Sequence, residues 1–219
     1  MYPVNLLLDN KPCLVLGGGA VALQKIRGLL AAGSDVTVLS PALCPALSRL
    51  WALKKFNWLP KTYTPGDEKG VFLLICATDD PLINETAAYS AQKHGILVNV
   101  VDQPAQSNWT SPSVIRKGDL QVTISTNGKS PAFARWLRQR WEKELTPAYA
   151  QWLDALAEVR TCTKYALTTP ALRQEFWREA LSDEIMDEAL SGNSKEAQKQ
   201  LLEKLDAFLK EKGESHEGE

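Results

Sequence analysis

Apolar and polar residues alternate in short runs along the first half of the chain, and these runs predict strands and helices in turn. The run Cys13–Leu16 has strand length and is followed at once by three glycines. Apolar residues then recur at helical spacing from about Gly19 to Ala32, and Asp35–Leu39 predicts a second strand. The continuous apolar runs Val71–Ala77 and Ile96–Val101 are typical of strands buried on both faces of a sheet.

Turn-forming residues separate these runs and complete an alternating order of elements. A short helix is predicted over about Ala42–Leu53, a weaker strand near Asn57–Tyr63 and a turn at Pro65–Asp67. Asp80 is a candidate N-cap for a helix over about Pro81–Lys93. Alternating elements of these lengths imply right-handed βαβ crossovers, and therefore an α/β fold with a Rossmann-type parallel sheet.

The pattern changes after the last of these strands. Residues 103–112 are polar and predict a loop, whereas Leu120–Thr126 alternates as a strand with one wet or partner-facing side. Ser130–Pro131 begins a helix in which Trp136 and Trp141 are either core residues or part of a subunit contact.

Beyond Pro147 every pattern is helical. Ser182 is a candidate cap of one helix, Gly192 its candidate end, and Ser194 opens the last helix. The final stretch, residues 213–219, is predicted to be disordered. The chain is therefore expected to contain a Rossmann domain over residues 1–112, a small dimerisation segment over 113–146, and a C-terminal helical domain with a disordered tail over 147–219.

The glycine turn after the first strand carries the most specific chemical signal. A G-x-G-x-x-A pattern indicates a dinucleotide site when it lies in a turn between a strand and a helix. In this chain the pattern is formed by Gly17, Gly19 and Ala22. The first glycine permits the tight turn, the second lets a pyrophosphate approach the backbone, and the alanine lets the helix lie close to the strand. The helix N-terminus adds free N–H groups for phosphates. A plain strand-to-helix turn is the alternative.

Ligands of an open parallel sheet bind beyond the carboxyl ends of its strands, where polar residues of this chain also lie. Thr78, Asp79 and Asp80 follow one buried strand, and Asp102 follows the next. Asp80 is best explained as a helix cap. Asp102 is either a proton-transferring carboxylate or a turn residue. Ser40 stands where a dinucleotide site often has Asp or Glu, so the pattern alone does not choose between NAD and NADP.

Two further patterns have simple explanations. Tyr89 and Lys93 match the Y-x-x-x-K of short-chain dehydrogenases, but they lie too early in the chain, so we interpret them as helix-surface residues. A basic stretch in the second half is either a solvated helix face or a wall for a polyanionic substrate. It consists of Arg116, Lys117, Lys129, Arg135, Arg138 and Arg140.

Composition narrows the class of protein. The formal net charge of −1 argues against broad nucleic-acid binding, and two histidines are too few for a His/Cys zinc cluster, so no metal site is expected. Neither a signal peptide nor a membrane-spanning run is found. Cys13 and Cys76 lie in apolar strands and are expected to be buried, reduced thiols. A cytoplasmic location is the resulting expectation.

Taken in order, the motifs resemble the siroheme synthase N-terminal module, the precorrin-2 dehydrogenase family. The resemblance covers essentially the whole chain, and one departure is Gln24, where the family often has Arg. The motifs that carry it are LVLGGGAVALQK (14–25), GSDVTVLSP (33–41), ICATDDPLIN (75–84), VNVVDQP (98–104), SPSVIRKGDLQVTISTNGKSPAFARWLR (111–138) and the helical tail.

This resemblance implies NAD-dependent oxidation of precorrin-2 to sirohydrochlorin in siroheme biosynthesis, with Asp102 as the candidate general base. It also implies that Lys129, Arg135 and Arg138 contact the polycarboxylate substrate, and that the chain forms a homodimer through a segment near 113–145. The cofactor-binding residues that the glycine motif and the resemblance together indicate are Gly17, Gly18, Gly19, Ala20, Val21, Ser40, Pro41, Ala42, Thr78 and Asp79.

Some members of this family also insert Fe²⁺ into the product, and the resemblance leaves that second activity open. The chain ends near residue 219, so a fused methyltransferase domain is not expected. Two other functions also fit a glycine-turn domain: a non-enzymatic NAD-sensing module and a different small NAD-dependent oxidoreductase. The sensing module would need neither Asp102 nor the long helical tail.

Overall fold

A computed structural model describes residues 1–214, which form two compact units that divide between Ser111 and Pro112. The first unit contains one parallel sheet in the strand order β3-β2-β1-β4-β5. Its strands are β1 (Pro12–Leu16), β2 (Asp35–Leu39), β3 (Asn57–Leu59), β4 (Leu73–Cys76) and β5 (Leu97–Val100).

The register of the sheet aligns the carboxyl ends of its central strands. Leu16 pairs with Leu39 on one side and with Cys76 on the other, and Cys76 pairs with Val100. The segments that follow these strands therefore leave the sheet at one edge, which is where a ligand is expected in this class of fold.

Helices cover both faces of the sheet. Val15 and Ile75 belong to a core cluster with residues of α1 (Ala20–Ala31) and α2 (Pro45–Ala52). Leu14 and Leu74 point to the other side, into a cluster with alanines of α3 (Pro81–Lys93). Because both faces are covered, the central strands are apolar at nearly every position.

The third strand and the second helix are shorter than predicted, for identifiable reasons. β3 ends at Leu59 because Pro60 has no N–H to continue the ladder. α2 begins at Pro45 rather than Ala42, because the preceding residues are used elsewhere: the Ala42 carbonyl accepts from the Ser40 hydroxyl, and the Cys44 N–H donates to the carbonyl of Gly18.

The second unit begins with a hairpin, half of which the sequence analysis missed. β6 (Ser113–Lys117) pairs in antiparallel register with β7 (Leu120–Ile124), and β6 falls where no strand was predicted. Gly118 and Asp119 connect them, and Gly118 has a positive φ of 56°. A Gly-Asp pair between two β-prone runs is a hairpin signal, so this strand could have been found.

Helices make up the rest of the second unit. Trp152, Phe176 and Leu201 lie in one buried cluster to which residues of four helices contribute. α7 (Asp183–Glu188) continues through a π-type turn to Gly192, whose φ of 108° breaks the helix as expected before α8 (Ser194–Glu214) begins. The helices are α4 (Pro131–Glu144), α5 (Ala148–Ala166), α6 (Pro170–Ala180), α7 (Asp183–Glu188) and α8 (Ser194–Glu214).

The predicted disordered tail begins too early in the chain. α8 includes Gly213 and Glu214, and the rest of the predicted tail lies outside the described residues. Leu205 and Phe208 bury one face of α8, and Lys212 donates to Glu175 at 2.9 Å. These contacts hold the last turns of the helix against α6.

Two further expectations concern the cysteines and the membrane. Cys13 and Cys76 are buried free thiols, as predicted, and burial raises the pKa of Cys76 to about 12. Within residues 1–214, none of the helices has both the length and the apolar character needed to cross a bilayer.

Candidate functional site

A cleft of about 380 Å³ opens at the carboxyl edge of the sheet in the first unit. It lies between the ends of β1, β2 and β4, and most of the cofactor-binding residues expected from the sequence line it. The lining consists of Leu16, Gly17, Gly18, Gly19, Ala20, Val21, Leu39, Ser40, Pro41, Lys61, Thr62, Tyr63, Ala77, Thr78, Asp79, Asp80 and Ile83.

The first two glycines allow three chain segments to come together. A Cβ on Gly17, which has a φ of 115°, would lie 2.3 Å from the carbonyl oxygen of Ala77. A Cβ on Gly18 would lie 1.9 Å from the carbonyl oxygen of Ala42. Side chains at these positions would therefore push the turn away from the segments after β4 and β2.

The third glycine faces open space instead. A Cβ on Gly19 would meet no atom within 4 Å, although this residue is the N-cap of α1. No side chain of the described residues caps α1, and its first turn carries no acidic residue. The helix therefore presents free N–H groups and its positive dipole end to the cleft. This arrangement fits the pyrophosphate of a dinucleotide.

The end of β2 is fixed by hydrogen bonds around Ser40. Its hydroxyl donates to the Ala42 carbonyl at 2.8 Å, and its carbonyl accepts from the indole N–H of Trp58 at 2.9 Å. Ser40 and Pro41 line the cleft. Ala42, which was also expected to bind the cofactor, lies behind them against Gly18 and is not among the described lining residues.

The turn after β4 is organised by Asn84, which the sequence analysis did not select. Its amide oxygen accepts from the Thr78 hydroxyl at 2.8 Å, and its amide nitrogen donates to the Thr78 carbonyl at 3.0 Å. Asp80 caps α3 by accepting from the N–H groups of Leu82 and Ile83, which confirms its interpretation as a cap. Asp79 is left exposed at the cleft.

The third wall of the cleft is the segment from Lys61 to Tyr63, which was not predicted from the sequence. This segment has no regular structure, and a fully buried carboxylate, Glu68, holds it in place. Glu68 accepts from the Tyr63 hydroxyl at 2.7 Å, from the N–H of Gly66 at 2.9 Å and from the Ser90 hydroxyl on α3.

These hydrogen bonds set the protonation states of the buried pair. Burial by itself would raise the pKa of Glu68, but the hydrogen bonds from Ser90, its own backbone N–H, Tyr63 and Gly66 outweigh burial and lower it. Burial, together with the Glu68 carboxylate, raises the pKa of Tyr63 well above its usual value. At neutral pH the pair is therefore a neutral phenol donating to a carboxylate.

Asp102 lies at the same edge of the sheet, beyond β5. It is exposed and has a positive φ of 59°, in the turn where the chain reverses direction. The returning segment pairs with β5 through side chains: Asn108 accepts from the Val98 N–H at 2.7 Å, and Ser107 accepts from the Val100 N–H at 2.9 Å. Asp102 thus has the turn geometry that the sequence left open, with its carboxylate in solvent.

Lys25 on α1 is another residue that the sequence analysis did not select. It is half-buried, and burial lowers its pKa, while the negative charge of Asp102 acts in the opposite direction. The ammonium group of Lys25 therefore lies within electrostatic range of the candidate base.

The candidate substrate contacts belong to the second unit. Lys129 and Arg135 are exposed, whereas Arg138 forms an ion pair with Glu142 at 2.6 Å along α4. Arg140 pairs with Glu144 at 3.6 Å and stacks over Trp136. Part of the basic stretch is therefore already neutralised within its own helix.

The Y-x-x-x-K pair noted in the sequence lies on the surface of α3. Tyr89 and Lys93 are exposed on α3, with the ammonium group 4.1 Å from the ring centre, as expected of surface residues. Within residues 1–214, there is no group of three or more His, Cys, Asp or Glu side chains placed to hold a metal ion.

Comparison with known families places this cleft in context. The family described as "Putative NAD(P)-binding" matches residues 4–113. Sirohaem biosynthesis protein central matches residues 117–143, and Sirohaem synthase dimerisation region matches residues 148–205. The chain belongs to the family of siroheme synthase N-terminal modules. The match to the dimerisation region thus begins at residue 148, whereas the sequence predicted a dimerisation segment over 113–146.

Individual relatives agree with this membership. The chain is 38% identical to siroheme synthase 1 of Aeromonas salmonicida (strain A449) over 212 residues, which are 96% of this chain and 45% of the relative. It is 38% identical to siroheme synthase of Thioalkalivibrio sulfidiphilus (strain HL-EbGR7), covering 95% and 42%. The chain thus spans less than half the length of these curated relatives.

A solved structure agrees over the whole fold. It is that of SirC, precorrin-2 dehydrogenase, which matches with a TM-score of 0.76 at 25% identity, covering 93% of this chain and 100% of SirC. The Rossmann-type sheet followed by a helical region, predicted from the sequence, is therefore confirmed.

The two glycines of the turn should respond differently to substitution in this module. Gly19→Asp should leave the melting temperature near that of the parent, because the position is open, and should lower NAD affinity by roughly 100-fold through charge repulsion. Gly18→Ala, the matched control, should lower the free energy of unfolding by about 1–3 kcal/mol through overpacking. Calorimetry and thermal melts check both. Parental NAD affinity in Gly19→Asp would contradict the assignment.

Glu68 should make the stability of the module depend on pH. Its folded-state pKa is lowered, so its stabilisation is present above its unfolded pKa of about 4.3 and is lost as pH falls through the folded value. Glu68→Gln should lower the free energy of unfolding by about 1–3 kcal/mol at pH 7. Urea unfolding from pH 7 to pH 3 should show this difference shrinking below pH 4.3. A constant difference would mean that the charge of Glu68 is irrelevant.

Proposed function

We propose that the chain catalyses the NAD-dependent oxidation of precorrin-2 to sirohydrochlorin. The observation that carries this proposal is the cleft at the sheet edge, where an uncapped helix N-terminus faces open space beside Gly19. Support comes from the match to SirC, a precorrin-2 dehydrogenase whose full length is covered.

NAD, when bound, supplies the hydride acceptor. In this proposal Gly18–Val21 bind the pyrophosphate through backbone N–H groups. The N–H of Gly17 already donates to the Leu39 carbonyl, so Gly17 shapes the turn, and Gly18 keeps the turn close to the end of β2. Ser40 and Pro41 lie beside the adenosine ribose, and Ala42 shapes that end from behind. Thr78 and Asp79 contact the cofactor from the β4 side, with Thr78 held in position by Asn84.

Asp102 is the proposed general base. Oxidation of the substrate removes one hydride and one proton, and the carboxylate of Asp102 accepts that proton. Its position after β5 and its exposure to solvent support this role. The ammonium group of Lys25 lies within electrostatic range of Asp102.

The substrate carries carboxylates, which favours cationic contacts in the second unit. We propose Lys129 and Arg135 as such contacts, because both are exposed. Arg138 can contribute after exchanging its ion pair with Glu142, which is partly exposed and therefore weak. Insertion of Fe²⁺ as a second substrate, and the cytoplasmic location, stay predictions from the sequence and the resemblance.

We further propose a homodimer, supported by an apolar surface on α4. Phe133 and Trp136 stack with ring centres 6.0 Å apart, although each is about half exposed (51% and 52%). Exposed, stacked aromatic residues of this kind are typical of a protein interface. The family's dimerisation region at 148–205 supports a dimer as well, through a different segment.

The direct test of the activity is anaerobic incubation of the chain with precorrin-2 and NAD, followed by addition of Fe²⁺. We expect the absorption spectrum of sirohydrochlorin to appear only when NAD is present. A further spectral change on adding Fe²⁺ would establish metal insertion. Binding of NAD without any turnover would overturn the dehydrogenase proposal and favour the sensing module.

Substitutions of Asp102 should separate its two roles. Asn and Gly both tolerate a positive φ, so Asp102→Asn and Asp102→Gly should keep near-parental melting temperatures. Both variants lack the carboxylate and should lose about 10²–10⁴-fold in turnover. Asp102→Ala, in contrast, should also lose stability, because a side chain without a polar group is strained at this φ. Parental turnover in the Asn variant would remove Asp102 from the mechanism.

Light scattering at micromolar concentration should give twice the 24.2 kDa mass of the chain. Trp136→Glu should shift this mass to the monomer, because a carboxylate would have to be buried in the contact. Tyr165→Glu, a matched change at an exposed residue of α5 within 148–205, should leave the dimer intact. If Tyr165→Glu gave a monomer and Trp136→Glu stayed a dimer, the dimer contact would lie in the helices within 148–205 instead of on α4. A parent protein of monomeric mass would refute the dimer.

A further inference from the structure

The adenosine end of the cleft has an unusual charge arrangement. In many dinucleotide sites an Asp or Glu at the end of the second strand binds the ribose hydroxyls, and a nearby Arg can accept the 2′-phosphate of NADP. Here β2 is followed by Ser40 and Pro41, so no Asp or Glu stands at the end of β2 to bind the ribose hydroxyls. The carboxylates that line the cleft, Asp79 and Asp80, follow β4 instead.

Lys61 lies where a cationic residue that accepts the 2′-phosphate of NADP would be expected. The carbonyl of Leu59 accepts from the N–H of Ser40 at 3.2 Å, so the ends of β3 and β2 lie side by side. Lys61 follows two residues later and lines the cleft together with Ser40 and Pro41. Of the described lining residues, Lys61 is the one with a cationic side chain. By itself it would favour a 2′-phosphate.

Asp67 already holds this cation. The Lys61 ammonium group lies 2.6 Å from a carboxylate oxygen of Asp67, and the other oxygen accepts from the N–H and hydroxyl of Thr64 at 2.8 and 3.0 Å. The side chain of Asp67 is only 17% exposed, so the carboxylate is fixed in the loop. Glu68 anchors the same loop to α3 through Ser90.

We propose that the Lys61–Asp67 ion pair sets the preference of this cleft for NAD over NADP. Asp67 pairs with Lys61, the cation among the described lining residues, and adds a negative charge that repels a 2′-phosphate. The ribose of NAD carries no such phosphate, so its binding is little affected. This inference rests on the proposed function of the cleft as a dinucleotide site.

The test is the ratio of NADP to NAD affinity, measured by calorimetry on the full chain at low salt. The parent should prefer NAD. Asp67→Asn should raise the NADP:NAD affinity ratio by about tenfold, because it removes the repelling charge and frees Lys61. Asn keeps an amide oxygen for the Thr64 N–H, so the turn should survive. Lys61→Gln in the Asp67→Asn background should return the ratio to near its parental value.

Each outcome bears on the proposal. A general disturbance of the loop would weaken the binding of both nucleotides by a similar factor. The NADP:NAD affinity ratio would then show no gain. An unchanged ratio in Asp67→Asn, or a gain that persists without Lys61, would overturn the inference while leaving NAD binding intact. Asp67→Ser, whose hydroxyl can also accept from Thr64, is the second variant. If Asp67→Asn and Asp67→Ser both lost affinity for NAD and for NADP, Asp67 would act only on the structure of the loop. Failure of the parent to bind either nucleotide would instead overturn the proposed function.

Discussion

The close approach of the glycine turn to its two neighbouring segments is the contact on which the first unit depends. Gly17 lies against the carbonyl of Ala77 and Gly18 against the carbonyl of Ala42, at distances that leave no room for a Cβ. Backbone hydrogen bonds secure the same contacts, with Gly17 donating to Leu39 at 3.0 Å and Cys44 donating to Gly18 at 2.8 Å. The cleft exists because three strand ends are held together in this way.

Three carboxylates in and around the cleft already have hydrogen-bond or ion-pair partners. Asp80 caps α3, Glu68 accepts hydrogen bonds from three groups, and Asp67 pairs with Lys61. The N-terminus of α1 is the contrasting case, since no side chain among the described residues satisfies it. The position beside Gly19 therefore favours a negatively charged ligand group, whereas the Lys61 cation is already paired with Asp67.

The sequence predicted an element accurately when residues within that element define its ends. β2 and α3 have the bounds read from the sequence, because a period-2 run and an Asp-Pro cap define them without help from distant residues. The wall at Lys61–Tyr63 could not be predicted in the same way. It is held by the contact of Glu68 with Ser90, which are 22 residues apart, and a charged residue in a polar loop gives no sign of its burial.

Asp102 illustrates why a turn residue and a catalytic residue are not exclusive alternatives. A positive φ restricts this position to Gly, Asn or Asp with little strain, so the turn explains a short polar side chain. The turn does not explain a charge, because Asn would serve the backbone equally well. The reversal of the chain at this point sends the following segment back along β5 and leaves the carboxylate exposed at the sheet edge. The backbone constraint thus places an ionisable group where ligands of this fold bind, and the chemistry of the group is additional to that constraint.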